Sequence, residues 1–314
     1  MKFNVNSYHF KLLRDYERLS AFKEAIDDYM VEIDNGSYNN GNGDLKSSSR
    51  IAFDLGCGSG VLSYFAKDYM DNIIAIELNN STYQLAKENL KEFDNVYVFN
   101  DDILSFDFSK LNEKADLIIC EMLDTALIDE EEVPVLIYAK KYLKENGTII
   151  PQGIINSAEP IFMNNHFIQY EDDEYAPVYI ALGKPVIYSE LNFLDDLDSN
   201  FSAEIEFMVY GEDDLKSMGF EEKLADEKFE RFNLKDNFNI EENKLKINGI
   251  KLTTFTNLNE NIICGPTPML NPSMMVPIEE VELNCGDSVR IKLEYVMGGG
   301  VETIRTEILE IVHN

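Results

Sequence analysis

The sequence predicts an α/β protein, a doubly wound parallel sheet followed by a mainly β, barrel-like C-terminal domain. Three observations carry this. From Ile51 to Pro151, short apolar runs alternate with amphipathic helical stretches, the pattern of strands covered on both faces by crossover helices. Within that region Asp54-Leu-Gly-Cys-Gly-Ser-Gly60 joins an apolar run to the helix opened by Val61. A strand that turns sharply into a helix presents backbone N–H groups, and glycine lets a ligand approach them closely. Beyond Pro151, β-rich runs follow one another without helices between most of them, which indicates a sandwich or barrel.

The elements follow in order. Phe10, Leu13, Phe22, Ile26, Met30 and Ile33 recur at helical spacing, so residues 1–33 form a helical N-terminal segment. Residues 34–50 are polar and glycine-rich and predict a flexible loop. Ile51-Ala-Phe-Asp54 and Ile73-Ile-Ala-Ile76 are strands, the second ending at Glu77. Ser81 to Phe93 is a helix with Tyr83, Leu85, Ala86 and Leu90 on its inner face. Val96-Tyr-Val-Phe99 is a strand ending at Asp101-Asp102, and Leu117-Ile-Ile-Cys120 one ending at Glu121. Glu131 to Lys144 is a helix, and Gly147-Thr-Ile-Ile150 closes the unit, residues 51–153. The boundary falls near 151–156. Residues 154–314 then carry strands over 161–163, 177–182, 185–188, 203–210, 245–255, 276–283 and 289–296, with one acidic helix over 214–232.

At 314 residues the chain suits two domains, and 45% hydrophobic content is ordinary for a soluble globular protein. No apolar run approaches the ~20 residues of a membrane span. The N-terminus lacks a signal-peptide stretch, so a cytoplasmic address is expected. Cys57, Cys120, Cys264 and Cys285 form no C-x-x-C pair, which favours reduced core thiols over a metal site or disulfides. The formal net charge of −31 repels a phosphate backbone and draws a cationic substrate or basic partner protein. The same acidity also serves solubility.

The glycine loop departs from the dinucleotide fingerprint. Its third glycine, Gly60, comes one residue early, and Val61 stands where that fingerprint wants glycine. Asp54 would repel a pyrophosphate and suits an ammonium or sulfonium instead. Glu77, ending the next strand, can accept both hydroxyls of a ribose. S-adenosylmethionine carries all of these groups.

A second constellation lies at Glu121 and, nine residues on, Glu130, within Asp129-Glu-Glu-Glu132. The apolar loop Met122-Leu-Asp-Thr-Ala-Leu-Ile128 can fold back and hold both carboxylates over the cofactor. Two buried carboxylates repel one another unless they face a cation. A guanidinium answers them with forked, charge-assisted bonds and stays charged at any cellular pH. Which of Asp129, Glu130, Glu131 and Glu132 faces Glu121 is open at this level.

With these residues on the page, the chain resembles a class I S-adenosylmethionine-dependent methyltransferase, and more narrowly the protein arginine methyltransferases. The class likeness rests on Asp54–Gly60, Glu77 and the Asp102-Ile103 pair. The narrower likeness rests on the Glu121/Glu130 spacing, on Lys141-Tyr-Leu-Lys-Glu-Asn-Gly-Thr-Ile-Ile-Pro151, and on Leu12-Leu-Arg-Asp-Tyr-Glu-Arg18. The resemblance implies a Rossmann-like domain that binds S-adenosylmethionine through Arg18, Asp54, Gly56, Gly58, Gly60, Glu77, Leu78, Asp102, Ile103 and Glu121. Arg18 would hold the methionyl carboxylate and residues 1–33 would cap the cofactor. Glu121 and Glu130 would be catalytic, with no metal, and residues 154–314 would form a barrel for substrate or interaction.

The chain departs from that family in its barrel. Gly265-Pro-Thr-Pro-Met-Leu-Asn-Pro272 places Pro268 and Met269 where the family has the His and Trp of a Thr-His-Trp motif, and the chain has no tryptophan. None of His9, His166 and His313 falls there, and residues 160–185 are short for the family's dimerisation arm. The expected function is methylation of a nitrogen, with an arginine-like protein acceptor first. An RNA methyltransferase and a non-catalytic cofactor-binding scaffold are the alternatives.

Overall fold

The computed structural model describes residues 3–34, 49–111, 113–171, 177–225, 229, 238 and 243–314. Most of the predicted loop 34–50, and the predicted acidic helix beyond 225 apart from Phe229, lie outside these residues.

The N-terminal segment is two helices rather than one, α1 (Ser7–Arg14) and α2 (Tyr16–Asp34). Asn6 caps α1 by accepting from His9 N. The break falls at Asp15, whose carboxylate accepts the Arg18 backbone N–H at 3.1 Å. A carboxylate that takes a first-turn N–H starts a new helix where apolar spacing alone reads straight through.

Five parallel strands follow: β1 (Ile51–Leu55), β2 (Asn72–Ile76), β3 (Val96–Phe99), β4 (Ala115–Cys120) and β5 (Leu143–Ile150), in the order β3-β2-β1-β4-β5. The helices between them are α3 (Val61–Ala66), α4 (Asn80–Leu90) and α5 (Glu132–Ala139). Successive β1 side chains enter opposite cores. Ile51, Phe53 and Leu55 join one, and Ala52 joins the other with Phe22, Ile26 and Met30 of α2. That two-sided burial is why the strands read as continuous apolar runs.

β1 lies between β2 and β4, with Leu55 in register with Ile76 on one side and Cys120 on the other. The next residues, Gly56, Glu77 and Glu121, therefore emerge side by side where the strand order reverses, the usual ligand crevice of such sheets.

α5 is shorter than its pattern suggests. It ends at Ala139, Lys140–Tyr142 form a single 3-10 turn, and β5 begins at Leu143. The β4–β5 register shifts between Ala115 and Leu117. This irregularity takes up the polar residues 144–147 that obscure the strand's start.

The C-terminal part is antiparallel: β6 (Gly153–Met163), β7 (Gln169–Tyr170), β8 (Tyr179–Ala181), β9 (Val186–Asn192), β10 (Asn200–Met208), β11 (Lys244–Asn257), β12 (Ile263–Cys264), β13 (Met274–Asn284), β14 (Ser288–Val296) and β15 (Arg305–Val312). One sheet runs β7-β13-β11-β6-β8 with β9 and β12 attached, and a second runs β10-β14-β15. Two short helices, α6 (Glu212–Ser217) and α7 (Phe220–Leu224), follow β10. Strand β15 escaped the sequence reading because its residues are largely exposed and alternate weakly. The core is continuous from Phe53 and Ile118 of the parallel sheet to Leu252 and Leu293 of the antiparallel ones. Among the described residues no helix is long and apolar enough to cross a membrane.

Candidate active site

A cleft of about 400 Å³ opens at the crevice, and its walls bring together elements far apart in sequence. The glycine loop supplies Gly56, Cys57, Gly58 and Ser59. Arg18, Glu77, Glu121 and Glu130 all face the same space.

The loop's own hydrogen bonds decide what it can bind. Gly56 N and Cys57 N both donate to the Ile76 carbonyl, and Gly60 N to that of Cys57. Gly58 N donates to Glu77 Oε2 at 3.0 Å, while Asn79 N donates to Oε1 at 2.8 Å. Four of the loop's N–H groups, those of Gly56, Cys57, Gly58 and Gly60, are thus taken up within the protein, and three carboxylates line the same cleft. An anionic coenzyme is repelled here. Glu77 is held rigidly by two N–H donors, with lone pairs left over for ribose hydroxyls.

Asp54 does not reach the cleft. It is 1% exposed and accepts Ser63 N at 2.9 Å and Ser63 Oγ at 2.5 Å, tying α3 to the sheet behind the loop. Burial lifts its carboxyl to about 6 against those two bonds. Gly60 also stands behind the loop: its φ is +81° and a Cβ there would meet Leu90 Cδ1 at 2.5 Å. Leu78, Asp102 and Ile103 are outside the cleft's walls as well. Leu78 projects outward, Asp102 accepts from Leu104 N at 2.9 Å, and Ile103 is packed in the core.

Arg18 arrives from α2 almost fully buried, 3% exposed. Its Nε donates to Glu121 Oε1 at 3.1 Å and its Nη2 pairs with Oε2, a forked contact. The remaining nitrogen, Nη1, is buried without a hydrogen-bond partner among the described residues. A buried guanidinium nitrogen in the cleft wall fits a ligand carboxylate, as Glu77 fits a ribose. The donor set therefore suits S-adenosylmethionine, with Arg18 at its carboxylate end and Glu77 at its ribose.

The loop after β4 is fixed from both sides. Asp124 accepts Ile128 N at 3.1 Å, Asp129 N at 2.8 Å and Glu130 N at 3.3 Å. Burial nonetheless raises its carboxyl to about 7. From the antiparallel sheet, Thr254 Oγ1 accepts Ala126 N at 2.8 Å, and Thr125 Oγ1 donates to the Pro272 carbonyl at 2.6 Å. Ala126 and Leu127, both at φ 60°, make the sharp bend.

These contacts separate the four acidic residues. Glu130 alone of them lines the cleft; although it is exposed at the cleft mouth, partial desolvation and then the charge of Glu121 raise its carboxyl. Asp129 turns to the antiparallel domain, accepting Tyr170 Oη at 2.5 Å and Val301 N at 3.1 Å. Glu131 is exposed, and Glu132 points inward, accepting Met122 N at 3.0 Å.

Tyr8, His9 and Met122, to which sequence reasoning gave no role, also line the cleft, as does Met269 of the altered motif. Two glycines carry the missing signal. A Cβ at Gly56 would meet Met122 Sδ at 2.8 Å, and one at Gly58 would meet His9 Nε2 at 2.9 Å. Asn89 clamps the N-terminal segment over the loop, donating to the carbonyls of Asn4 and Ser59 at 3.0 Å each. Met269 stands on the loop whose Thr267 hydroxyl donates to Asp15.

A family model described as a methyltransferase domain matches residues 46–180. An uncharacterized protein of Methanothermobacter thermautotrophicus is 38% identical over 98% of this chain and 100% of its own length. One of Methanocaldococcus jannaschii is 32% identical over 98% and 99%. A histone-arginine methyltransferase of Drosophila persimilis is 31% identical over 45% of this chain and 24% of its own. Among solved structures, the PRMT1 enzyme–prozyme complex of Trypanosoma brucei with AdoHcy shares the fold, with a TM-score of 0.64 and 13% identity over 98% of this chain and 99% of that one. The chain is an S-adenosylmethionine-dependent methyltransferase whose methyltransferase domain spans residues 46–180. Its cofactor is S-adenosylmethionine, and its two-part architecture is that of the arginine methyltransferase fold.

Proposed function

We propose that the protein methylates a nitrogen of an arginine side chain in a protein acceptor. The observation that carries this reading is the presence of Glu121 and Glu130 in one cleft wall beside the glycine loop. The bound cofactor supplies an electrophilic methyl group on a sulfonium. Glu121 and Glu130 would grip the planar guanidinium from two sides, holding one nitrogen in line with that methyl group. Such positioning is worth ~7–11 kcal/mol of barrier when the geometry is near-attack. By drawing positive charge toward the nitrogens they bind, the carboxylates leave the reacting nitrogen richer in electrons.

As the N–C bond forms and the C–S bond breaks, the methylated nitrogen must lose a proton. Glu130 is suited to take it, since partial desolvation and the Glu121 charge make it more basic than an ordinary glutamate. The net charge of −31 supports a basic protein partner over RNA.

The test incubates the protein with methyl-labelled cofactor and host-cell lysate, followed by protease or ribonuclease. Label removed by protease and recovered as methylarginine is expected. Label removed by ribonuclease would overturn the acceptor while leaving the methyltransferase chemistry in place.

A further inference from the structure

A second hollow, of about 1210 Å³, adjoins the cofactor cleft and shares Asn6, Tyr8 and Met269 with it. It runs between α1 and the loop bearing Pro268 and Met269. Its apolar lining is Val5, Phe10, Tyr16, Pro268 and Met269, with Tyr8 at the junction. Tyr8 is 58% exposed, Phe10 51% and Tyr16 71%. Helix α1 has no buried residue although it carries Tyr8, Phe10, Leu12 and Leu13. Three large aromatic side chains thus stand in water around a groove that leads to Glu121 and Glu130.

The charge of this groove departs from that of the molecule. Across a chain of net charge −31, its charged lining is Lys11 and Arg14 against Asp15 and Glu17. Asp15 is engaged with Thr267 and with Arg18 N, and the Arg14 guanidinium lies over the Phe10 ring at 5.2 Å. A locally neutral, aromatic-walled channel has no net field for a run of cationic residues, and the Phe10 ring already holds the Arg14 guanidinium. The channel rewards burial of apolar side chains.

We propose that this groove holds the acceptor chain on either side of the methylated residue, and that it selects segments with aromatic or aliphatic neighbours over glycine-rich or lysine-rich ones. The inference rests on the arginine reading given above, because the groove's value lies in opening onto Glu121 and Glu130. It deepens that reading by naming a substrate class. The global negative charge draws a basic protein toward the surface, and the groove then chooses among its arginines by their neighbours. In the family's Thr-His-Trp motif a large aromatic ring stands where Met269 stands here. An unbranched thioether in its place lets the wall adapt to apolar side chains of different shapes.

The experiment measures fluorescence anisotropy of nine-residue fluorescein-labelled peptides on the full chain saturated with S-adenosylhomocysteine. One peptide carries Arg between Phe and Leu, a second Arg between glycines, a third Arg between lysines, and a fourth Ala between Phe and Leu. The groove predicts that the first binds about tenfold or more tighter than the second and third. Phe10→Glu and Tyr16→Glu, both at exposed positions outside the catalytic constellation, should erase that preference at an unchanged melting temperature. Equal affinity for all three flanks would overturn the groove and leave the arginine reading standing. Equal binding of the first and fourth peptides would support the groove and remove arginine. Binding of none would overturn the groove. So would a dimer that Phe10→Glu converts to a monomer, since the hollow would then be a contact between copies of this chain.

Discussion

The guanidinium of Arg18 and the carboxylate of Glu121 meet fork to fork across 103 residues of chain, and Arg18 Nη1 is left buried with no partner among the described residues. The pair ties helix α2 to the end of strand β4. Burial alone would make Arg18 less basic, and the facing Glu121 outweighs it, so the group is held above its usual range. Removing one partner of a buried pair strands the other charge, at a cost of about 3–5 kcal/mol. Arg18→Ala should therefore lower the urea midpoint and cofactor affinity together. Arg18→Lys keeps a charge near Glu121 but has no fork and no Nη1. We expect it to fold and to bind S-adenosylhomocysteine about tenfold or more weakly by calorimetry. Wild-type affinity in that variant would remove Nη1 from cofactor binding.

Glu121 and Glu130 should respond differently to the same substitution. Glu121 is expected at both the cofactor and the acceptor, and its fork with Arg18 couples the two roles. Glu121→Gln should weaken cofactor binding and turnover together, because an amide returns only one acceptor oxygen to the guanidinium. Glu130 lines the cleft without a hydrogen-bond partner for its side chain among the described residues. Glu130→Gln should keep cofactor affinity within about twofold while losing about 100-fold or more in turnover, the scale of a lost proton acceptor. Calorimetry beside a labelled-methyl assay separates the two, and equal turnover in Glu130→Gln would end its catalytic role.

Stability should fall as pH rises. Burial raises Asp54 to about 6, Asp124 to about 7 and Glu132 to about 8, each from an ordinary carboxylate value of 3.8 or 4.5. Every folded-state value lies above the unfolded one, so between the two the folded chain holds more protons. The contribution of these groups is complete below about pH 4 and is lost as pH climbs through 6, 7 and 8. Growing repulsion within an acidic chain acts in the same direction. Glu132 is the sharpest case, at 0% exposure with the Cys120 thiol beside its carboxyl. Its Oε2 accepts Met122 N, which a glutamine oxygen can also do. Glu132→Gln should be on the order of 3–5 kcal/mol more stable than wild type at pH 9 and nearly equal to it at pH 5. Urea titrations at the two pH values decide, and parallel pH profiles for the two proteins would refute the argument.

The legible part of this site is the part written in local chemistry. Gly56, Gly58 and Glu77 could be read because a glycine turn followed by a strand-ending acid has few physical uses. Glu121 and Glu130 could be read as a pair, but not Glu130 from its three acidic neighbours. That choice is made by Asp124, which gathers three N–H groups of the loop, and by Tyr170 and Val301, which draw Asp129 away. These contacts come from the loop's own curl and from residues 41 and 172 positions distant, which no spacing rule contains. Asp54 misled for the opposite reason. Its place before the glycines suggested a ligand contact, whereas its side chain points back to Ser63. In the fold, two-sided burial made the parallel strands plain. The break at Asp15 and the exposed strand β15 left no mark in apolar periodicity.

Two glycines of one loop should fail in different ways when given a methyl group. Gly56 and Gly60 both have left-handed backbones, with φ of +71° and +81°, so alanine strains each by about 1–2 kcal/mol. Their surroundings then diverge. At Gly60 the new Cβ would come within 2.5 Å of Leu90 Cδ1, a side chain of α4 that is 1% exposed. A side chain so buried has little room to turn aside, and overpacking of this kind costs a further 1–3 kcal/mol or so. At Gly56 the nearest atom is Met122 Sδ at 2.8 Å, the far end of a flexible chain that can swing aside into the cleft. Gly60→Ala should thus lower the urea midpoint markedly, with cofactor affinity reduced only as far as the fold is lost. Gly56→Ala should lose less stability and about tenfold or more in affinity for S-adenosylhomocysteine, because the displaced thioether occupies the space the ligand needs. The opposite ordering, with Gly56→Ala the less stable protein and the tighter binder, would mean that Met122 does not border the cofactor.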